Sequence, residues 1–225
     1  MKAVIWDLDN TIADTEDLHR RAWQEIMRQH GIEYSEEEFR AGYGRNNTEI
    51  LRELLPELTP AKIAVISVQK EAAFRALVQP GIVALLPGVA AWLDTLRHLG
   101  IWQLVGSSGP MGNIVTTIGA LGIGDYFLAM LSGATLPQGK PHPDLFLRCA
   151  EAVRAPVHEC LVIEDSIHGV EAAHRAGMHC VAVGSLAQSE HLRTFLSAEN
   201  GPWCVATPSL AALDPLQFME ASPIS

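Results

Sequence analysis

The second half of the chain alternates short apolar strands with helices, and this alternation restricts the fold more than any other feature of the sequence. Four helical patterns each precede an apolar run, at about 88–99, 111–121, 143–153 and 166–176. The strands that follow them are Trp102–Gly106, a short one near Ala129–Ser132, Cys160–Ile163 and His179–Val183. A weaker strand at Trp203–Ala206 precedes a short C-terminal helix. Strands separated by helices of this length pair in parallel. We therefore predict an α/β fold, a parallel sheet flanked by helices.

The first 80 residues have a different organisation. Ala3–Trp6 is short, apolar and typical of a buried strand. Helical patterns then follow without a convincing strand, at about 15–29 (capped by Asp14 or Thr15), 35–42, 47–55 and 59–79. An all-helical stretch after one strand indicates an insert. We predict a Rossmann-like catalytic core at residues 1–14 and 81–225, and an inserted all-helical cap domain at 15–80.

Composition excludes several classes of function. The net charge is -10 and no Lys/Arg run offsets it, so we expect no nucleic-acid or membrane partner. The uncharged stretch 101–124 contains too many polar residues and glycines to span a bilayer. Four scattered cysteines without a C-x-x-C pair indicate reduced thiols, and the apolar run before Asp7 is too short for a signal peptide. We expect a cytoplasmic monomer.

Polar residues directly follow three of the apolar runs, where open parallel sheets bind ligands. The stretch Gln138–Pro143 also places Lys140 in a stiff loop before a helix. Four acids, two hydroxyls and one ammonium would meet at one edge if these strands are neighbours: Asp7, Asp9, Ser107, Ser108, Lys140, Glu164 and Asp165.

Four carboxylates in one place repel one another unless a cation lies between them. Ligation by oxygen alone favours a hard ion, and open positions for water and phosphate favour Mg²⁺. The residues therefore predict a magnesium site formed by Asp7, Asp9, Glu164 and Asp165. Asp165 would hold the metal, with Glu164 beside it either as a second ligand or as an outer-shell group.

The same residues suit phosphoryl transfer. Asp7 would attack phosphorus as a carboxylate nucleophile, and Asp9 would protonate the leaving oxygen and later accept a proton from water. Ser107 would donate a hydrogen bond to a phosphoryl oxygen, and Lys140 would neutralise the charge that builds up there. The backbone N–H groups of Ser108 and Gly109 would also bind phosphate.

Four motifs in order resemble those of the haloacid dehalogenase superfamily: Asp7-Leu-Asp-Asn-Thr11, Ser107, Lys140 and Glu164-Asp165. The resemblance runs from Val4 to about Leu213. It is strongest to the branch that includes beta-phosphoglucomutase and many sugar-phosphate phosphatases. It implies roles like those above, and adds that the backbone carbonyl of Asp9 binds Mg²⁺. It also implies a cap that closes over the substrate and carries specificity.

The chain departs from that pattern at Asn10, where the family usually has glycine. Asparagine tolerates a left-handed backbone better than most residues, so we expect the turn to survive. In the cap, His19 and Trp23 share a helix face, and in the resembling branch this face looks into the cleft. They are equally consistent with packing inside the cap. Arg45 is a candidate contact for a distal substrate group, or a solvated residue of a capping loop.

Three functions compete. The first is hydrolysis of a small phosphorylated metabolite, in which water removes the phosphoryl group from Asp7. The second is a phosphosugar mutase. Its relatives carry a cap lysine before the glycine matching Gly42 and a Lys-Asn pair after the second motif, and here those places hold Ala41 and Pro110-Met111. The third is a metabolite-binding protein without catalysis. Cleavage of a carbon–phosphorus bond would need a Schiff-base lysine, and neither Lys62 nor Lys70 sits where the resemblance requires one.

Overall fold

A computed structural model describes residues 1–42, 47–198 and 203–221. Its centre is one six-stranded parallel sheet with the order β3-β2-β1-β4-β5-β6. The strands are β1 Ala3–Trp6, β2 Trp102–Ser107, β3 Ala129–Ser132, β4 Cys160–Glu164, β5 His179–Ala182 and β6 Cys204–Ala206. The predicted α/β fold is confirmed, and the predicted strands lie within a residue or so of the observed ones.

Ten helices are seen in the described residues. The first four lie between β1 and the rest of the sheet: α1 Glu16–Gln29, α2 Glu36–Gly42, α3 Asn47–Leu54 and α4 Pro60–Leu77. The others are α5 Val89–His98, α6 Met111–Leu121, α7 Asp144–Ala152, α8 Ile167–Arg175, α9 Glu190–Ala198 and α10 Pro215–Ala221. The sequence prediction missed α9, in which Leu192 is the buried residue.

Strand β1 lies in the middle of the sheet, paired with β2 on one side and β4 on the other. Every residue of β1 is buried, as expected for a strand covered on both faces. The pairing aligns Trp6 with Val105 and with Ile163, so the three strands end at the same level. Side chains that follow β1, β2 and β4 therefore meet at one edge.

The two faces of the sheet carry separate apolar cores. Ile5, Leu104 and Val162 face one core, which includes Phe146 of α7. Val4 and Trp6 face the other, which is built on α5, α6 and the C-terminal segment. Helices on both faces of a parallel sheet make the Rossmann-like core that the sequence predicts.

Helices α1–α4 form an inserted helical unit, called the cap below. It has its own apolar core, which includes Trp23, Met27 and Leu51. Two backbone segments join it to the sheet, and they pair through the amide of Asp14 and the carbonyl of Ala84. The division of the chain at residues 14/15 and 80/81 stays a prediction. None of the helices in the described ranges has the length and apolar character needed to cross a bilayer.

Candidate active site

A tight turn after β1 presents the first two acids. Asn10 has a φ of 55°, so the prediction of a left-handed backbone there is confirmed. The amides of Ile12 and Ala13 both donate to the carbonyl of Leu8, which closes the turn. The turn leaves Asp7 buried at the base of the site, whereas 27% of the Asp9 side chain is exposed.

Lys140 reaches the base of the site from a distant loop. Its Nζ donates to Asp7 Oδ1 and to Glu164 Oε1, each at 2.6 Å, and to the carbonyl of Gly106 at 3.2 Å. Burial would lower the pKa of Lys140, but the carboxylates of Asp7 and Glu164 outweigh it and raise that pKa above its usual value. Lys140 is therefore held as an ammonium.

Glu164 ends β4 and is 1% exposed. Its Oε2 accepts from the amide of Ser166 at 2.8 Å and from the Ser166 hydroxyl at 2.9 Å. Gly169 makes room for this side chain, because a Cβ there would lie 1.9 Å from Glu164 Cδ. A serine cap and a glycine one turn later thus set the position of the carboxylate.

Three carboxylates could share one cation. Asp7, Glu164 and Asp165 each offer an oxygen, and these oxygens lie within 4.8 Å of one another. The fourth predicted ligand, Asp9, does not belong to this group of three, and its Oδ1 accepts a hydrogen bond from Thr15 Oγ1. A set of carboxylate oxygens fits a hard divalent ion.

The pKa values in this group reflect crowding of like charges. Burial raises the pKa of Asp7 to about 7, with further contributions from Glu164 and Asp9, and Lys140 opposes them only in part. Burial, Glu164 and Asp7 raise the pKa of Asp165 well above its usual value. A cation bound to these oxygens would reverse both shifts, so the residues present fit a metal site.

The loop after β2 carries Ser107, Ser108 and Gly109, for which phosphate binding stays a prediction. Ser107 is buried, and its hydroxyl accepts from the amide of Gly109 at 3.0 Å. The Gly109 carbonyl in turn accepts from Ser132, at the end of β3. Ser108 is exposed at the same edge. Hydrogen bonds to the ends of β2 and β3 thus fix this loop.

The side chain of Asp9 is oriented by the start of the cap. Its Oδ1 accepts from Thr15 Oγ1 at 2.7 Å and lies 3.4 Å from His19 Nε2. Burial would raise the pKa of Asp9, but the hydrogen bond with His19, with help from the Thr15 hydrogen bond and the charge of Lys70, lowers it. Thr15 is the N-cap residue of α1, but its hydroxyl makes no cap bond and serves Asp9 instead.

His19 belongs to a second buried polar cluster, which sequence analysis missed. Its ring stacks on Phe74 at 3.9 Å, and its Nδ1 lies 2.9 Å from Lys70 Nζ. Lys70 also donates to Glu71 at 3.0 Å. A signal was present, because Lys70-Glu71 ends an uncharged run from Ile63 to Gln69 in the middle of a helix.

The other two cap candidates, Trp23 and Arg45, are not seen in contact with Asp9 as His19 is, within the residues that the structure describes. Trp23 is 3% exposed and lies in the apolar core of the cap, tilted against Tyr34 with ring centres 5.9 Å apart. Its contact with the rest of the site is indirect, because Lys70 Nζ lies 5.5 Å from the Trp23 ring. Arg45 lies outside the described residues. Substrate contacts by Trp23 and Arg45 stay predictions.

A parallel sheet, a helical cap inserted after its first strand, and carboxylates behind β1 and β4 are consistent with the haloacid dehalogenase superfamily. The chain belongs to it: the family model for haloacid dehalogenase-like hydrolases matches residues 4–183.

The similar proteins include a phosphatase and a mutase. The chain is 30% identical to fructose-1-phosphate phosphatase YqaB of Escherichia coli, over 80% of this chain and 95% of that protein. It is 32% identical to beta-phosphoglucomutase of Bacillus subtilis, over 82% of this chain and 84% of that protein. A crystal structure of CbbY from Rhodobacter sphaeroides, a D10N mutant in complex with xylulose-(1,5)bisphosphate, aligns with a TM-score of 0.81. It shares 26% identity and covers 95% of this chain and 96% of that one.

Proposed function

We propose that this protein is a Mg²⁺-dependent phosphatase that hydrolyses a small phosphorylated sugar or polyol through an aspartyl-phosphate on Asp7. The observation that carries the proposal is the separation of Asp7 from Asp9. Asp7 lies at the buried base beside Lys140, whereas Asp9 is turned toward the cap by Thr15 and His19. One acid would thus attack phosphorus, and the other would face the leaving group.

In the first step, an oxygen of Asp7 attacks phosphorus and the bond to the leaving oxygen breaks. That oxygen takes a proton from Asp9. The pKa of Asp9 is low at rest, and the charge of a bound phosphate dianion raises it, so Asp9 becomes an acid only when substrate is present. In the second step, ionised Asp9 takes a proton from water, which attacks phosphorus and releases Asp7 and inorganic phosphate.

Lys140 and Ser107 would stabilise the phosphoryl group during both steps. The Lys140 ammonium is fixed by Asp7 and Glu164, so it would not need to reorganise as charge develops. Ser107, with the backbone amides of Ser108 and Gly109, would donate to the remaining phosphoryl oxygens.

Mg²⁺ dependence follows from the pKa of Asp7. A carboxylate nucleophile must be ionised, but burial and Glu164 raise the pKa of Asp7 to about 7. Asp7, Glu164 and Asp165 would hold the ion, with the backbone carbonyl of Asp9 as the resemblance implies. Bound Mg²⁺ would supply the charge that keeps Asp7 ionised and neutralises the phosphoryl oxygens.

The second candidate is a phosphosugar mutase, which the likeness to beta-phosphoglucomutase favours. A mutase must hold two phosphate groups, one at each end of its bisphosphate intermediate. Ala41 and Pro110-Met111 stand where the mutases carry cationic or amide side chains. Neither side chain has an N–H or O–H group to donate to a phosphate: Pro110 is the residue before α6, and Met111 is its first residue. We therefore place hydrolysis first.

The test is phosphate release from a panel of sugar and polyol monophosphates, with sugar bisphosphates included. We expect turnover in Mg²⁺ and loss of it in EDTA and in Asp7→Asn, by at least about a thousandfold. Trp102→Phe, an exposed change far from this edge, is the matched control. Turnover that survives EDTA and Asp7→Asn contradicts the mechanism.

Two further outcomes separate the alternatives. Conversion of a sugar 1-phosphate without phosphate release, dependent on a bisphosphate activator, identifies a mutase. Metabolite binding that Asp7→Asn leaves unchanged, with no turnover in Mg²⁺, identifies a binding protein. A monomeric state and a cytoplasmic location stay predictions.

A further inference from the structure

A buried contact between cap helix α4 and core helix α6 has no part in the proposed chemistry. Asn113, in the first turn of α6, is 3% exposed. Its Nδ2 donates to Glu71 Oε2 at 2.5 Å, and its Oδ1 accepts from Arg75 Nη1 at 3.0 Å. Glu71 and Arg75 are four residues apart and share one face of α4. One core amide is therefore held at both ends by the cap.

Glu71 is also tied to the rest of the cap. Its Oε1 accepts from Asn47 Nδ2 at 2.7 Å and from Lys70 Nζ at 3.0 Å. Burial would raise the pKa of Glu71, but Lys70 and the amides of Asn113 and Asn47 lower it, so the carboxylate is ionised. A buried carboxylate with three donors is costly to separate from any of them.

The contact leads to Asp9 through Lys70. Lys70 Nζ lies 2.9 Å from His19 Nδ1, and His19 Nε2 lies 3.4 Å from Asp9 Oδ1. Since an ammonium can only donate, His19 Nδ1 accepts and the ring proton is on Nε2, facing Asp9. Glu71 thus stands between the anchor on the core and the residues that orient Asp9.

We propose that Glu71 is a positioning residue: through Asn113 it fastens the closed cap to α6, and through Lys70 it holds His19 against Asp9. Opening of the cap would break the contact with Asn113, whereas Lys70 and His19 both belong to the cap and would move away from Asp9 together. Closure therefore restores the orientation of Asp9 and excludes water in the same movement. The proposal rests on the role of Asp9 given above.

The polarity of the contact makes a sharp test possible. Each terminal atom of Glu71 and Asn113 has a fixed role as donor or acceptor, because Lys70, Asn47 and Arg75 occupy the other sides. Glu71→Gln turns an NH₂ group toward the NH₂ of Asn113, and Asn113→Asp places two carboxylates together. The double variant reverses the hydrogen bond and satisfies every group again. Each single change is therefore mismatched, and the pair is matched.

Cap position is measured by pulsed electron spin resonance between labels at exposed sites, with Lys62→Cys in the cap and Asp125→Cys in the core. Cys204→Ser removes the half-buried thiol, and the other three cysteines are buried. We expect one narrow distance population in the parent protein and in the double variant. Each single variant should add a longer population, and Gln69→Ala, an exposed change one residue from Lys70, should not.

Turnover of p-nitrophenyl phosphate in Mg²⁺ provides the second readout. We expect kcat to fall about tenfold in each single variant and to return to within about twofold in the double variant. If Asn113→Asp does not fold, Asn113→Ala removes the amide without adding a charge and should give the longer population.

Identical distance distributions in all variants, or single effects that simply add in the double variant, overturn the proposal. A second population with a longer distance between the labels, already present in the parent protein, would also overturn the proposal. The distance measurement needs no turnover. A chain that hydrolyses no phosphate ester but still responds to the polarity reversal would refute the proposed function and leave the contact in place.

Discussion

Two buried charged clusters lie on either side of the Asp9 side chain, and they differ in balance. The cluster in the core brings three carboxylates, Asp7, Glu164 and Asp165, around the ammonium of Lys140. The cluster in the cap pairs Lys70 with Glu71 and satisfies both through neutral donors and a histidine. The pKa of Asp7 is accordingly raised and that of Glu71 is lowered.

The core cluster has an excess of negative charge that a cation could neutralise. In the cap cluster the charges and hydrogen bonds are already satisfied. Excess negative charge in the core is unfavourable until a metal or protons neutralise it. The cap cluster gains nothing from a cation, because Glu71 already accepts from three donors. In the functions proposed above, similar residue types at similar depth would serve catalysis in one place and alignment in the other.

Removal of the lysine from each cluster should give the largest effect. Without added metal, Lys140→Met leaves its carboxylate partners unpaired, and we expect a loss of about 3–5 kcal/mol in the free energy of unfolding. Lys70→Met leaves Glu71 with two amide donors, and we expect about 1–3 kcal/mol. Urea denaturation in EDTA and in Mg²⁺ measures both.

Mg²⁺ should recover stability in Lys140→Met and have no comparable effect on the loss in Lys70→Met. Equal losses, or equal responses to the metal, would show that the two clusters do not differ as described.

A methyl group at Gly169 should disturb the core cluster alone. Its Cβ would lie 1.9 Å from Glu164 Cδ, and Glu164 is held there by Lys140 and Ser166. We expect Gly169→Ala to cost about 1–3 kcal/mol through overpacking and to weaken stabilisation by Mg²⁺. Thermal unfolding with and without the metal measures both effects.

Gly119→Ala is the matched control. Gly119 lies within α6, and a Cβ there meets nothing within 4 Å. Alanine in that place should stabilise the helix by about 0.5–1 kcal/mol and leave the metal response unchanged. A Gly169→Ala protein that behaves like this control would mean that Glu164 moves aside freely.

The core cluster could be predicted from the sequence and the cap cluster could not, for a physical reason. A parallel sheet brings the residues after its strands to one edge, so Asp7, Ser107 and Glu164 follow from strand positions alone. The left-handed turn at Asn10 also follows from a local preference.

The cap cluster depends on contacts that no local pattern encodes. Glu71 meets Asn113 because α4 and α6 pack against each other, which follows neither from the helical period of α4 nor from that of α6. Helix α9 escaped prediction for a related reason: Leu192 is its buried residue, so it lacks a broad apolar stripe.

The stability of the protein without metal should fall as the pH rises from about 4 to about 7. Folding raises the pKa of Asp7 from 3.8 to about 7, so the folded state binds more protons than the unfolded state over that interval. Glu71, with a lowered pKa, contributes the opposite trend: its stabilisation is present above its unfolded value of 4.5 and is lost as the pH falls through its lower folded pKa.

Mg²⁺ competes with the protons of the core cluster, so it should raise the melting temperature more at about pH 7.5 than at about pH 5. Asp7→Asn should reduce both the slope without metal and the effect of the metal. An unchanged slope in Asp7→Asn would place the titration elsewhere.

The smallest effect is expected at Thr15, where the two clusters meet at Asp9. Thr15→Val keeps the shape of the side chain but removes the hydroxyl that donates to Asp9 Oδ1 at 2.7 Å. The pKa of Asp9 is lowered mainly by His19 and then by Thr15, so it should rise by less than about one unit. Asp9 must be protonated to donate in the first step of the proposed cycle, so the basic limb of kcat/KM should move to higher pH. Thr95→Val, on the distant helix α5, should leave that limb in place. A limb that moves equally in both variants would mean that the Thr15 hydroxyl does not tune Asp9.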